Sequence, residues 1–197
     1  MFLETFFTEA RAWAKGKSWP WRLLLLIWFV YVFIRHAADP MYDSIIGPLN
    51  LGIHEFGHLI FMPLGEFMHM IGGTIFQMIV PFFAMFNFYR QDDFFSIALS
   101  FGWLSTNFFS IARYAADTRR MEIPISTPFG GNPIHDWNYL LVKWRLLHWD
   151  MRIAGFFRIL AAISMLICFL LGVWLIWLIF QTKLKNSQNE EEKSFNQ

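Results

Sequence analysis

The sequence predicts an all-α, polytopic integral membrane protein with about five transmembrane helices plus a short membrane-associated helix. Two observations carry this reading. The 197 residues are 56% hydrophobic and 20% aromatic, with only 16% charged. Soluble domains hold about 45–50% apolar and about 25% charged residues, and a chain this short cannot hide such an apolar excess in a soluble core. The apolar residues also fall into runs close to the roughly 20 residues a helix needs to cross a bilayer, separated by polar, Pro- and Gly-containing breaks.

The elements follow in order. Residues 1–20 read as an amphipathic interfacial helix, with Phe2, Leu3, Phe6, Phe7, Ala10 and Trp13 on one face and Arg11, Lys15 and Lys17 nearby. No apolar core of a cleavable signal peptide precedes Trp19. The run from Trp21 to Ile34, with its flanks, makes a first span, stopped at Arg35–Pro40 and followed by a turn-rich loop. A second span is expected from about Leu49 to Phe67, loosened at its far end by Pro63 and Gly65. A third runs from about Met70 to Tyr89 and contains Gly72-Gly73, Gln77 and Pro81. Arg90-Gln91-Asp92-Asp93 stops it, and a fourth covers about Phe94 to Ala115. After the polar stretch Asp117–Asn132 come a short helix from His135 to about His148 and a last span from about Ile153 to Phe180. Residues 1–182 thus form one membrane-embedded domain, and 183–197 a polar tail expected to be disordered.

Charge and cysteine content exclude several classes. A net charge of +1 and the lack of a basic stripe with interleaved aromatics argue against a nucleic-acid partner. The single cysteine, Cys168, rules out an intramolecular disulfide framework. Basic residues near the start place the N-terminus in the cytoplasm, which suits a plasma or inner cell membrane. Counting four spans before them, Arg113, Arg119, Arg120, Lys143, Arg145 and Arg152 fall on the same side. Trp19, Trp21, Tyr89 and Trp149, near span ends, are interface anchors.

The second span carries the chemistry. His54-Glu55-Phe56-Gly57-His58 reads H-E-x-x-H inside an otherwise apolar frame from Leu51 to Met62. Positions i and i+4 share a helix face, so His54 and His58 can offer both imidazoles to one metal ion. Glu55 stands one position round, where a carboxylate serves as general base toward a water activated by that metal. In a soluble protein such a pair is often an ordinary surface feature. Two imidazoles and a carboxylate in an apolar span need a purpose, because burying them in lipid is costly.

Catalytic zinc takes three protein ligands and keeps a further position for water. The third candidates are Asp117, His135, Asp136, His36, His69 and His148. Gly130–Trp137 stands out: Gly, Asn and Pro set up a turn, and His135-Asp136 opens a helix. Asp136 or His135 can then reach the metal, although Asp at a helix start is often only a cap. Asp117 also reads as an i, i+4 partner of Arg113, and Gln77, Asn107 and Ser110 as interhelical hydrogen-bonding residues.

His54-Glu55-Phe56-Gly57-His58-Leu59 in a spanning helix resembles the site-2 protease family of intramembrane zinc metalloproteases, which carry H-E-x-G-H in one span. The family takes its third zinc ligand from an Asp in a later Asn-Pro…Leu-Asp-Gly segment. The counterpart here is Asn132-Pro133-Ile134-His135-Asp136-Trp137, with His135 and Trp137 in place of the flanking Leu and Gly. The likeness is confined to these two stretches and the roughly 80 residues between them. It implies Zn2+ held by His54, His58 and Asp136, with Glu55 as general base. It further implies cleavage of a transmembrane or membrane-adjacent protein substrate at the lipid bilayer. The competing expectation is a non-proteolytic metal-binding scaffold or complex subunit, with both His135 and Asp136 on the metal and no open position.

Overall fold

The computed structural model describes residues 2–123 and 134–195. Regular structure there is helical throughout: α1 (Phe2–Trp13), α2 (Pro20–Ala38), α3 (Gly47–Phe61), α4 (Glu66–Arg90), α5 (Phe94–Ala116), α6 (Asp136–Lys143) and α7 (Asp150–Phe195), with 3₁₀ turns at Met62–Leu64 and Leu147–Trp149. The turn expected at Gly130–Pro133 lies outside the described residues.

Four helices, α2, α4, α5 and α7, are long and apolar enough to cross a membrane. The helix bearing H-E-x-x-H is not among them. At 15 residues α3 rises about 22 Å, against a hydrocarbon core of about 30 Å. The second span expected over Leu49–Phe67 is therefore a short helix. The chain turns at Pro63 and at Gly65, whose φ of 95° suits glycine, and re-enters as α4 from Glu66.

The central element is α5, of whose most apolar window 67% is buried. Aromatic and small residues on all its faces meet α2, α4 and α7. Gly102 receives the Phe29 ring of α2, since a Cβ there would sit 2.6 Å from Phe29 Cδ1. Polar side chains fix the neighbours. Ser105 Oγ donates to the Ala161 carbonyl of α7 at 2.8 Å. Asn50 of α3 donates to Thr106 Oγ1 at 3.2 Å and accepts from Trp103 Nε1 at 2.8 Å. Such bonds join helices where apolar burial alone gives little drive.

At one end of the bundle α1 lies across the α4–α5 turn. Phe6 and Trp13 set their rings against Phe94, and Ala10 is fully buried. The expected amphipathic face thus packs in part on protein, while Leu3 remains exposed. Trp19 meets Phe180 at this end, so α7 passes the start of α2 here. At the opposite end Arg119 binds Asp150 and Arg113 reaches the Met41 carbonyl.

This overturns the expectation that Arg113–Arg152 share a side with the N-terminal segment. Because α3 is no full crossing, the parity of the count changes. The Arg119–Asp150 pair lies opposite α1, and Lys183 lines a pocket with Lys17. Basic residues therefore flank both ends, and their distribution assigns neither to the cytoplasm. The last helix runs from Asp150 to Phe195. Its polar portion contains no Gly or Pro and is rich in Gln, Lys and Glu, which favour helix.

The pairing of α3 with α4 rests on three glycines. A Cβ on Gly57 would stand 2.6 Å from the Gly72 carbonyl oxygen, and one on Gly72 2.6 Å from Phe61 Cβ. Small residues let the two backbones approach closely. Gly57→Ala should therefore lower the thermal midpoint in detergent, at a cost of about 1–3 kcal/mol for overpacking. Gly52→Ala, on the open face of the same helix with nothing within 4 Å, should be neutral or stabilising by up to about 1 kcal/mol. Equal behaviour of the two variants would show that the close approach is not limiting.

Candidate metal centre

Pro48 sits in the first turn of α3, where its fixed φ and missing N–H suit a helix start. From there the 3.6-residue period turns His54, Gly57 and His58 toward α4. The two rings lie 4.8 Å apart, nearly perpendicular. Across from them α6 begins at Asp136. Its N-cap is His135, whose Nδ1 accepts the Asn138 N–H at 3.3 Å. Asp136 was expected as a possible cap. With the neighbouring histidine in that role, its carboxylate points to α3 instead.

His54 Nε2 lies 3.0 Å from Asp136 Oδ2, and His58 Nε2 lies 3.1 Å from the same oxygen. One donor atom from each of the three residues falls within a 4.8 Å cluster. With bonds of about 2.0–2.1 Å, ligand atoms on a tetrahedral zinc stand about 3.3 Å apart, so this set needs only a small spreading to close around an ion. All three side chains are at most 12% exposed. Gly73 makes room for the donors: a Cβ there would stand 2.7 Å from both Nε2 atoms.

The opposite ring nitrogens are held as well. His54 Nδ1 faces Gln77 Oε1 at 3.2 Å, and His58 Nδ1 faces the His69 carbonyl at 2.6 Å. Both partners accept, so each Nδ1 carries the proton and each Nε2 keeps a lone pair for a metal. Outer acceptors of this kind fix the tautomer and orientation of metal-binding histidines. His69 Nδ1 in turn donates to the His58 carbonyl at 2.9 Å. The sequence offers Gln77 either a place facing the site's cavity or interhelical hydrogen bonding, and favours the second; here it lines the cavity and holds His54 across the helix interface. Its position one turn after Gly73 was the available signal.

Tyr114 was missed altogether. Its hydroxyl accepts the Asp136 N–H at 3.3 Å, its ring meets His54 edge-on, and it stacks on His135 at 4.1 Å. It ties the start of α6 to the end of α5, and so sets where Asp136 stands.

The other candidates lie elsewhere. His135 Nε2 is 3.6 Å from Asp117 Oδ2 and faces away from the cluster. Asp117 accepts the N–H groups of Glu122 and Ile123 at 3.0 and 2.9 Å. It is not the partner of Arg113, which reaches Asp43 at 3.8 Å. His36 stacks on Phe109, and His148 is exposed next to Trp149. Asn107 donates within α5 to the Trp103 carbonyl.

A cavity of about 80 Å3 adjoins the cluster, lined by His54, Glu55, Thr74, Gln77, Tyr114 and Trp137 among others. Thr74 Oγ1 and Trp137 Nε1 are buried with no hydrogen-bond partner among the described residues. Two imidazoles and one carboxylate suit zinc in both type and number, and three protein donors leave a coordination position open.

One divalent ion per chain is the expected outcome of metal analysis on the purified protein. His54→Ala, His58→Ala and Asp136→Ala should each lose it, and full retention in the Asp136→Ala protein would remove that residue from the set. Gln77→Leu should weaken metal binding about 10–100-fold while leaving the fold intact. Affinity should fall as the pH drops, because protons then compete with the metal for its ligands.

Among known proteins, no family model, curated protein or solved structure matches this chain.

Proposed function

We propose that this chain is a zinc-dependent, intramembrane metalloprotease-like hydrolase that cleaves peptide bonds in or near the membrane. The observation that carries the reading is the convergence of His54, His58 and Asp136 beside a cavity bordered by Glu55. The H-E-x-G-H likeness to site-2 proteases supports it. The three-donor set also speaks for a hydrolase over a scaffold, because a closed structural site takes four protein ligands.

A zinc ion bound there supplies a Lewis acid and brings the pKa of a coordinated water to about 7. The residues of the chain do the rest. Glu55, half-buried at the cavity wall, takes the proton of the attacking water and returns it to the leaving amine. Gln77 and the His69 carbonyl hold the imidazoles in the metal-binding tautomer. Trp137 Nε1–H and the Thr74 hydroxyl offer donors to a peptide in the cavity. A helical substrate must unwind there, since its own hydrogen bonds shield the scissile carbonyl in lipid. Gly72 and Gly73 are buried against α3. The approach is left to the cavity face formed by Leu51, Glu55 and Tyr114.

Glu55→Gln separates the two readings. The variant should keep its metal and its helicity while hydrolysis of a membrane-tethered reporter peptide falls about 10²–10⁴-fold. Undiminished cleavage would remove Glu55 as the base, and no cleavage even by the metal-loaded wild type across a panel of such reporters would favour the scaffold.

A further inference from the structure

A second, larger cavity lies at the end of the bundle opposite α1, where α5 and α7 meet. Its volume is about 710 Å3, and Arg113, Arg119, Arg120 and Arg158 line it together with Asp117, Glu122 and Asp150. Most of the negative charge is already engaged. Both Asp150 oxygens accept from Arg119, at 2.6 and 3.0 Å. Both Asp117 oxygens accept backbone N–H groups. Arg113 reaches Asp43 and the Met41 carbonyl. Among the described residues no carboxylate pairs with Arg120 or Arg158, and only the exposed Glu122 remains to offset them.

The position of Arg158 makes this costly without a ligand. It stands eight residues after Asp150 on α7, about 12 Å further along the helix. Met151, Phe156 and Ile159 on the same stretch are 53%, 57% and 60% exposed, which is the pattern of a lipid-facing surface. An arginine at that depth calls for a counter-charge. Guanidinium groups favour phosphate oxygens, which they bind in a bidentate manner. Met41 and Met151, both more than half exposed, offer apolar surface beside the charged wall.

We propose that this cavity binds the phosphate of an anionic phospholipid headgroup through Arg120 and Arg158, with the acyl chains along the exposed face of α7. The site is distinct from the metal cluster, shares only Arg113 with its cavity, and does not depend on hydrolytic activity. The test uses the full chain, delipidated in a neutral detergent and titrated separately with phosphatidylglycerol, phosphatidylcholine and inorganic phosphate. The wild type should prefer phosphatidylglycerol, and Arg120→Gln/Arg158→Gln should weaken that binding by about tenfold or more. Lys17→Gln/Lys183→Gln, at the opposite end of the bundle, should leave it unchanged. Arg120→Lys/Arg158→Lys keeps the charge and should bind more tightly than the Gln pair, which separates loss of the ligand from loss of the fold. Equal binding by the Gln pair, no preference over phosphatidylcholine, or a loss confined to the Lys17/Lys183 variant would each overturn the proposal. Inorganic phosphate binding as tightly as the lipid would overturn the lipid as its source.

Discussion

The close approach of α3 to α4 is the constraint on which the rest depends. Gly57, Gly72 and Gly73 remove three side chains from the crossing, and the backbones meet where any Cβ would collide. This places His54 and His58 against α4 at the depth of Gln77 and His69, so the imidazoles are oriented by partners on the adjacent helix. In an apolar surrounding that orientation cannot be left to water. The same contact allows α3 to be short: its stability comes from packing against α4 and from Asn50 bridging to α5, so it need not span a bilayer alone.

The third donor depends on a different chain of contacts. Asp136 comes from a helix of eight residues that is too short to be stable by itself. His135 caps it, Tyr114 accepts its first N–H, and Asn138 donates to the Thr118 carbonyl at 3.0 Å. Buried Leu140, Leu141 and Trp137 dock its apolar side. The position of the carboxylate is thus inherited from α5, the most buried helix of the bundle. A buried carboxylate beside two neutral imidazoles is costly unless something compensates it. A cation between the donors would do so.

Charge is distributed with similar economy over the rest of the molecule. Arg22 lies buried among Trp13, Trp21 and Phe95, with its guanidinium 4.1 Å from the Trp21 ring centroid, where aromatic faces and the Ser18 carbonyl help to stabilise the cation. Arg119 has Asp150. Arg158 has no such partner among the described residues. The two cavities touch at Arg113, so an occupant of the larger one would sit next to the wall of the smaller.

Much of this was legible in the sequence. Composition required a helical membrane protein, because 24 phenylalanines and 10 tryptophans in 197 residues leave no soluble alternative. Helical spacing put His54 and His58 on one face, since i and i+4 coincide on any α-helix. Other features needed the tertiary structure. Whether α3 crosses the bilayer is set by where the chain can turn and what the helix leans on, and hydropathy alone carried it on past Phe61 into a span-length run from Leu49 to Phe67. That error in turn reversed the end to which Arg113–Arg152 belong. The choice of Asp136 over His135 depended on which residue capped α6, a local hydrogen bond that two adjacent polar residues can satisfy equally well on paper. Gln77 and Tyr114 acquire their roles only across helix interfaces, 23 and 22 positions from the residues they serve. Periodicity is written along the chain, but the distances that bring these side chains together exist only once the helices have packed.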